Sequence, residues 1–285
     1  MNAPHPILRI LKWMTITVLI IATAFPFYYM LMMSFVPIAD LQLHPGRLIP
    51  DLSNLTTDTY SQVLRSRESG GYGFGRFMLN SAAASLAATL ITLIVVIPGA
   101  YAVSRLRFRG RGTVGGLFLL VYMFPSIIIA IPLFVAFSAL GIRESLVGLV
   151  IVYIALTVPV SIYMLRQYFD TIPPSIDEAA KIDGASRWVI MTRIIIPLAR
   201  PTILSTALYI FMIAWNEFLF ALLFLVAKRD LWTVSLGLTQ LANGVEVPKT
   251  VLMAGAVLLT VPVVVLYGIA ERGLTEGLTA GSDKG

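Results

Sequence analysis

Six stretches of this chain are apolar for about 20 residues or more, the length that crosses a hydrocarbon core of roughly 30 Å at 1.5 Å per helical residue. They cover 13–36, 77–104, 113–138, 145–166, 201–227 and 250–270. Stretches 13–36 and 77–104 contain no charged residue, and 201–227 contains one, Glu217. Pro125 and Pro132 interrupt the third stretch, which puts part of it outside the core. Pro26, Pro98, Pro159 and Pro262 are either kinks or helix breaks repaired by neighbours. Arg9 and Lys12 ahead of the first stretch suit a signal peptide. That stretch is longer than a signal's apolar region and no small-x-small cleavage site follows it, so it reads as a retained span. The pattern predicts an all-α polytopic membrane helix bundle: six spans in one domain comprising residues 1–285.

The polar connections are unequal. Two are outer loops, 37–76 and 228–249, and the loop at Arg143-Glu144 is minimal. The connection 167–200 is polar and amphipathic over 34 residues, where a few suffice to join two spans. Residues 271–285 form a tail. Placing the N-terminus inside puts 13 of the 21 Lys and Arg residues on the cytoplasmic side, with a cluster at Arg105, Arg107, Arg109 and Arg111. The excess of inside Lys and Arg sets orientation, so both termini are expected in the cytoplasm.

Composition narrows the chemistry. The chain is 58% hydrophobic and only 13% charged, with a mean hydropathy of +0.85; a soluble enzyme of this length needs more polar surface. There is no cysteine, and His5 and His44 stand alone, so thiolate chemistry and a histidine metal triad are not visible. A net charge of +6 suits a nucleic-acid binder in a soluble protein, but here it resolves into the inside bias. No phosphate-binding Gly-x-x-x-x-Gly-Lys-Ser/Thr loop occurs. Gly110, Gly112 and Gly115 fit a dinucleotide fingerprint formally. They follow an arginine loop rather than a strand, and Gly112 with Gly116 suits close helix packing instead.

The long inner loop has its own architecture. Pro173-Pro174 stops any helix entering from the fourth span. Ser175 and Glu178 form a capping box, predicting a new helix from Ile176 of about eight residues, roughly 12 Å long. Asp177 and Glu178 lie in its first turn, and Gly184 supplies a left-handed stop. Ala179 and Ala180 leave part of the helix almost bare, allowing a partner to approach closely. Ser186 caps a second helix, 187–196, which Pro197 ends. Glu-Ala-Ala-Lys alone is also what an ordinary solvated helix contains.

Glu178-Ala-Ala followed by Gly184, Ile194 and Pro197, ahead of the penultimate span, resembles the EAA loop of binding-protein-dependent ABC importer permeases. Ile196 stands where that pattern has Leu. Asp183-Gly-Ala-Ser186, Ala214-Trp-Asn-Glu-Phe-Leu-Phe-Ala221 and the tail Gly277-Leu-Thr-Ala-Gly281 through Lys284-Gly285 are similar to the carbohydrate, maltose-type branch. The resemblance implies a MetI/MalG-like permease fold in a bacterial or archaeal cytoplasmic membrane, bounded by lipid. It implies a second homologous permease subunit, a dimer of cytoplasmic ATP-binding subunits and an extracytoplasmic sugar-binding protein. The implied cargo is a sugar, a di- or oligosaccharide, and nucleic acid is not an expected partner. Asp177, Glu178, Ala179, Ala180, Asp183 and Gly184 are the implied contact with the ATPase. This chain itself is expected to bind no cofactor and to catalyse nothing, with ATP and Mg held by the partner. Segment 237–246, with Gln240, Asn243 and Gly244, matches the position of a loop that meets the binding protein.

Glu217 lies 16 residues beyond the start of the fifth stretch, about 24 Å along a helix and in its outer half. An ionisable side chain within a span is a functional candidate. Asn216 and Glu217 either line the pathway or its gate, or lock the packing of neighbouring helices; Asn80 is a further pathway candidate. A proton-coupled secondary transporter using Glu217 is the alternative function, though it leaves the EAA loop without a task.

Overall fold

The computed structural model describes residues 6–43, 49, 51–244 and 247–282. His5, His44, the Pro45-Gly46 turn and Lys284-Gly285 lie outside the described residues. Those described are helical or irregular, with no strand. The chain divides into two compact units, Met1–Gly75 with Leu238–Thr260, and Arg76–Gly237 with Val261–Gly285.

The first unit contains α1 (Pro6–Ser34), α2 (Ile38–Leu43) and α3 (Asp58–Leu64). Pro26 sits inside α1 without ending it. Large apolar side chains along α1, including Leu19, Ile20 and Ile21, are uncovered, as lipid-facing residues are. At its end the helix is tied down: Ser34 Oγ lies 2.7 Å from the Tyr60 hydroxyl, Thr56 N–H donates to Phe35 O at 2.8 Å, and the Phe35 and Tyr60 rings are 5.1 Å apart. The described part of the long polar connection is thus built of short helices and turns.

The second unit is organised by α4 (Phe74–Arg105) and α7 (Leu146–Thr171). Both are long enough and apolar enough to span. Pro98 and Pro159 are contained within them. Thr92 and Thr157 bring their hydroxyls to 3.3 Å, buried. Thr89 and Thr157 also donate to carbonyls one turn back, Ser85 O and Tyr153 O, each at 2.7 Å. Small hydroxyl residues let helices approach while their polar atoms stay satisfied.

The third apolar stretch is broken at Pro125, one of the two interruptions expected there, and the fifth, which reads as a single span, is broken as well. The third is α5 (Arg111–Met123) and α6 (Ser126–Ala139), separated at Phe124-Pro125, while Pro132 is absorbed inside α6. Pro125 removes a donor and disfavours helical geometry at Phe124; Pro132, which is exposed, sits inside α6 without ending it. The fifth is α11 (Arg200–Asn216) and α12 (Leu219–Leu225), separated at Glu217-Phe218. α5, α11 and α12 pack on α7, and α12 also packs on α6.

The long connection between α7 and α11 begins with α8 (Pro174–Ile182) and continues as α9 (Arg187–Ile190), a π-turn over Met191–Ile195 and α10 (Ile196–Leu198). The chain bends by 80° into α11. α13 (Val234–Ala242) and α14 (Lys249–Ser282) complete the order, and Pro262 lies inside α14. The helix of the sixth apolar stretch therefore runs on through Ser282 into the segment read as a tail. Among the described residues four single helices are spanning candidates, or five if 187–198 and 200–216 count as one.

Candidate functional site

The helix of the long connection starts two residues earlier than the capping box predicts. Pro174 occupies the first turn and Ser175 makes no capping hydrogen bond. Proline's fixed φ and missing N–H suit the first helical position, which needs no donor. At the other end Gly184 has φ +80°, with its N–H donating to Lys181 O at 3.0 Å and that of Ala185 to Ala180 O at 2.9 Å. Ser186 caps the next helix, accepting from Val189 N–H at 3.4 Å. Pro197 does not end that helix. The preceding π-turn widens the backbone, making room for the ring against the carbonyl four residues back.

α8 has two unlike faces. Asp177 and Ala180 are buried, whereas Glu178, Ala179, Lys181, Ile182, Asp183 and Gly184 are exposed. Ala180 joins a core with Tyr101, Leu165, Phe169, Ile172 and Ile190. The six residues named for ATPase contact thus separate: Asp177 and Ala180 hold the helix to its own chain, and the other four are presented outward. Trp188, in the next helix, is 68% exposed, so an apolar ring lies open on the same connection.

Arg105, counted above only for orientation, reaches this helix. Its Nε is 3.2 Å from Asp177 Oδ2, with both side chains about nine-tenths buried, and its terminal nitrogen donates to Ile172 O at 2.7 Å. Next to it, Ser104 Oγ donates to Asp170 Oδ1 at 2.6 Å. A cavity of 400 Å³ is lined by Arg105, Arg107, Asp177, Glu178, Lys181 and Arg187. An arginine in the last turn of an apolar span was the available signal, but nothing in the sequence named its partner.

The second location is the break at Glu217. Its carboxylate accepts from Phe220 N–H at 2.7 Å and from Ala221 N–H at 3.1 Å, so it caps the half-helix α12. Buried Tyr153 lies against the same side chain. The break opens onto a cavity of 670 Å³, a size that suits a small ligand. Phe124, Pro125 and Ser126 at the other break line this same cavity, together with Tyr209, Glu217 and Phe220. Glu217 thus caps the local backbone and lines this cavity. Asn216 is exposed and its amide donates to Met212 O at 2.9 Å.

Asn80 is buried, and its amide donates to Asp230 O at 2.8 Å and Trp232 O at 3.0 Å, fixing the turn that leads into α13. It is not among the residues lining the cavity at Glu217. Gln240 is half-buried within α13, and Asn243 and Gly244 are exposed just past its end. Val245 and Glu246 lie outside the described residues.

A family model described as the binding-protein-dependent transport system inner membrane component matches residues 96–276. The chain is 39% identical over 267 residues to the inner membrane ABC transporter permease protein YcjP of Escherichia coli, covering 93% of each. It is 37% identical over 278 residues to the trehalose/maltose transport system permease protein MalG of Thermococcus litoralis, 97% of each. It is 33% identical over 280 residues to the trehalose transport system permease protein SugB of Mycobacterium tuberculosis, covering 97% of this chain and 98% of that one. Its fold is similar to that of a chain from a bacterial ABC transporter involved in the import of the acidic polysaccharide alginate: the TM-score is 0.81 at 23% identity, over 95% of this chain and 98% of the other. Nothing in these relationships supports a proton-coupled carrier. The matched region contains the α8 connection and both helix breaks, and the chain belongs to the inner-membrane permease components of binding-protein-dependent ABC transport.

Proposed function

We propose that this chain is one of two permease subunits of an ATP-driven sugar importer, forming half of the pathway and coupling through α8 to a separate ATP-binding subunit. The observation that carries this reading is the division of α8. Asp177 and Ala180 face its own chain, while Glu178, Ala179, Asp183 and Gly184 are left outward. A short helix is marginal alone in water, and here one face is held while the other stays available to a partner. The half-helix breaks beside one cavity supply the pathway end of the coupling. The named cargoes of the 33–37% identical relatives, trehalose and maltose, support a di- or oligosaccharide. Nucleotide and Mg would be held by the ATP-binding dimer, the α8 connection and both termini would be cytoplasmic, and six spans would cross the membrane. Gln240, Asn243 and Gly244 would meet an extracytoplasmic sugar-binding protein.

The test is reconstitution with a second permease, the ATP-binding subunits and a binding protein. Trehalose or maltose uptake should require internal ATP and all partners. Uptake by this chain alone under a pH gradient would overturn the reading.

A further inference from the structure

We propose that Arg105 is a positioning residue for energy coupling, the strut through which movement of α8 reaches the helices around the cavity. This rests on the reading of α8 as the contact with an ATP-binding subunit. α8 is joined to its own bundle in three ways. It follows α7 covalently through Ile172 and Pro173; Ala180 contributes an apolar contact; and Asp177 meets Arg105. Apolar contacts are non-directional and allow sliding. The ion pair fixes one point of α8 against one point of α4.

Arg105 is the last residue of α4; its terminal nitrogen hydrogen-bonds Ile172 O, and its Nε lies at ion-pair distance from Asp177 without a hydrogen bond to it. It therefore clamps the first turn of α8 and the chain leaving α7. Ser104 ties the same α4 turn to Asp170 of α7, and Arg166 lies 3.4 Å from the other Asp170 oxygen. Arg111 returns from the start of α5 to Ser104 O at 2.7 Å. Displacement of α8 is thus delivered to α4, α5 and α7. Val121 and Met123 of α5 and Leu156 and Pro159 of α7 line the cavity at Glu217. Lysine, a compact point charge, lacks the extended guanidinium that here bonds Ile172 O and lies beside Asp177 at the same time.

The experiment uses the complete transporter in vesicles, with sugar imported per ATP hydrolysed measured for each assembled complex. Arg105→Gln and Asp177→Asn should each lower that ratio by about fivefold or more, with Arg105→Lys intermediate. Because the two residues act through each other, the double variant should be no worse than the more affected single variant. Losses that multiply in the double variant would overturn the strut. So would a variant that merely yields less complex while keeping the wild-type ratio. If the wild-type complex shows no binding-protein-stimulated hydrolysis, the functional reading itself fails instead. A second measurement is independent of partners. The chain has no native cysteine. A label on Ser104→Cys, in the last turn of α4, would disturb the bond to Asp170, whereas spin labels on Arg109→Cys, in the turn between α4 and α5, and Ile182→Cys report α8 relative to that turn. Their distance distribution should broaden in the full chain carrying Arg105→Gln, and an unchanged distribution would overturn the proposal.

Discussion

The Ser235 hydroxyl donates to the main-chain carbonyl of Glu217 at 2.5 Å, satisfying a carbonyl that the break in the fifth apolar stretch leaves without a helical partner. The side chain of Glu217 meanwhile caps the half-helix that follows, so both ends of the break are closed by specific polar groups. In a hydrocarbon setting an irregular segment persists only if its backbone atoms are satisfied within the protein.

Glu217→Ala should therefore destabilise the chain by about 1–2 kcal/mol through loss of the cap. Glu217→Gln, which keeps one acceptor oxygen, should fall between Ala and wild type. Thermal unfolding of the detergent-solubilised protein orders the three. A role at the cavity adds a second effect: Glu217→Gln should change the KM for sugar uptake, and identical uptake kinetics would leave only the cap.

Gly184 has φ +80° and open space where a Cβ would stand, so its substitutions separate backbone conformation from crowding. Gly184→Ala should cost about 1 kcal/mol, the penalty of the left-handed region for an L residue. Gly184→Pro cannot adopt that φ and loses the N–H bonded to Lys181 O. It should insert normally yet abolish binding-protein-stimulated ATP hydrolysis in the reconstituted complex.

Gly237 lies directly on the Phe77 ring, and a Cβ added there would run into it. Gly237→Ala should lower the midpoint of thermal unfolding, at a cost of about 1–3 kcal/mol for an overpacked site. Shortening the partner should relieve the clash, so Phe77→Ala combined with Gly237→Ala should destabilise less than the sum of the two changes. Additive losses would show that the ring moves aside freely.

Asn80 supplies donors to two backbone carbonyls, and removing it leaves them unmet at a cost of about 1–3 kcal/mol. Asn80→Ala should accelerate amide exchange in the 226–237 turn. A sugar ligand at this position would instead show a raised KM with exchange unchanged.

Much of the long connection 167–200 could be read locally. Gly184 and Ser186 act at their own positions through φ and a near-neighbour hydrogen bond, and the helix between Pro173 and Gly184 is where the residues placed it. The capping box does not form because Pro174, whose ring already suits the first turn, opens the helix one residue ahead of Ser175. The fifth apolar stretch hid its break for a related reason. Hydropathy counts side chains, and the residues around Glu217 are as apolar as those of an unbroken span. Arg105 was legible as a charge near a membrane surface, but its partner lies 72 positions further along the chain.

The sequence by itself determined the helical membrane class, the length of the connection between the fourth and fifth apolar stretches and the family resemblance, because these depend on composition and short spacings. Only the tertiary structure decided which face of α8 is held, that Asn80 supports a distant turn, and that two helix breaks share one cavity. Those relationships depend on which remote residues meet. Burial and hydrogen bonding across a bundle are set by the packing of whole helices, while sequence periodicity reports only which side of each helix is apolar.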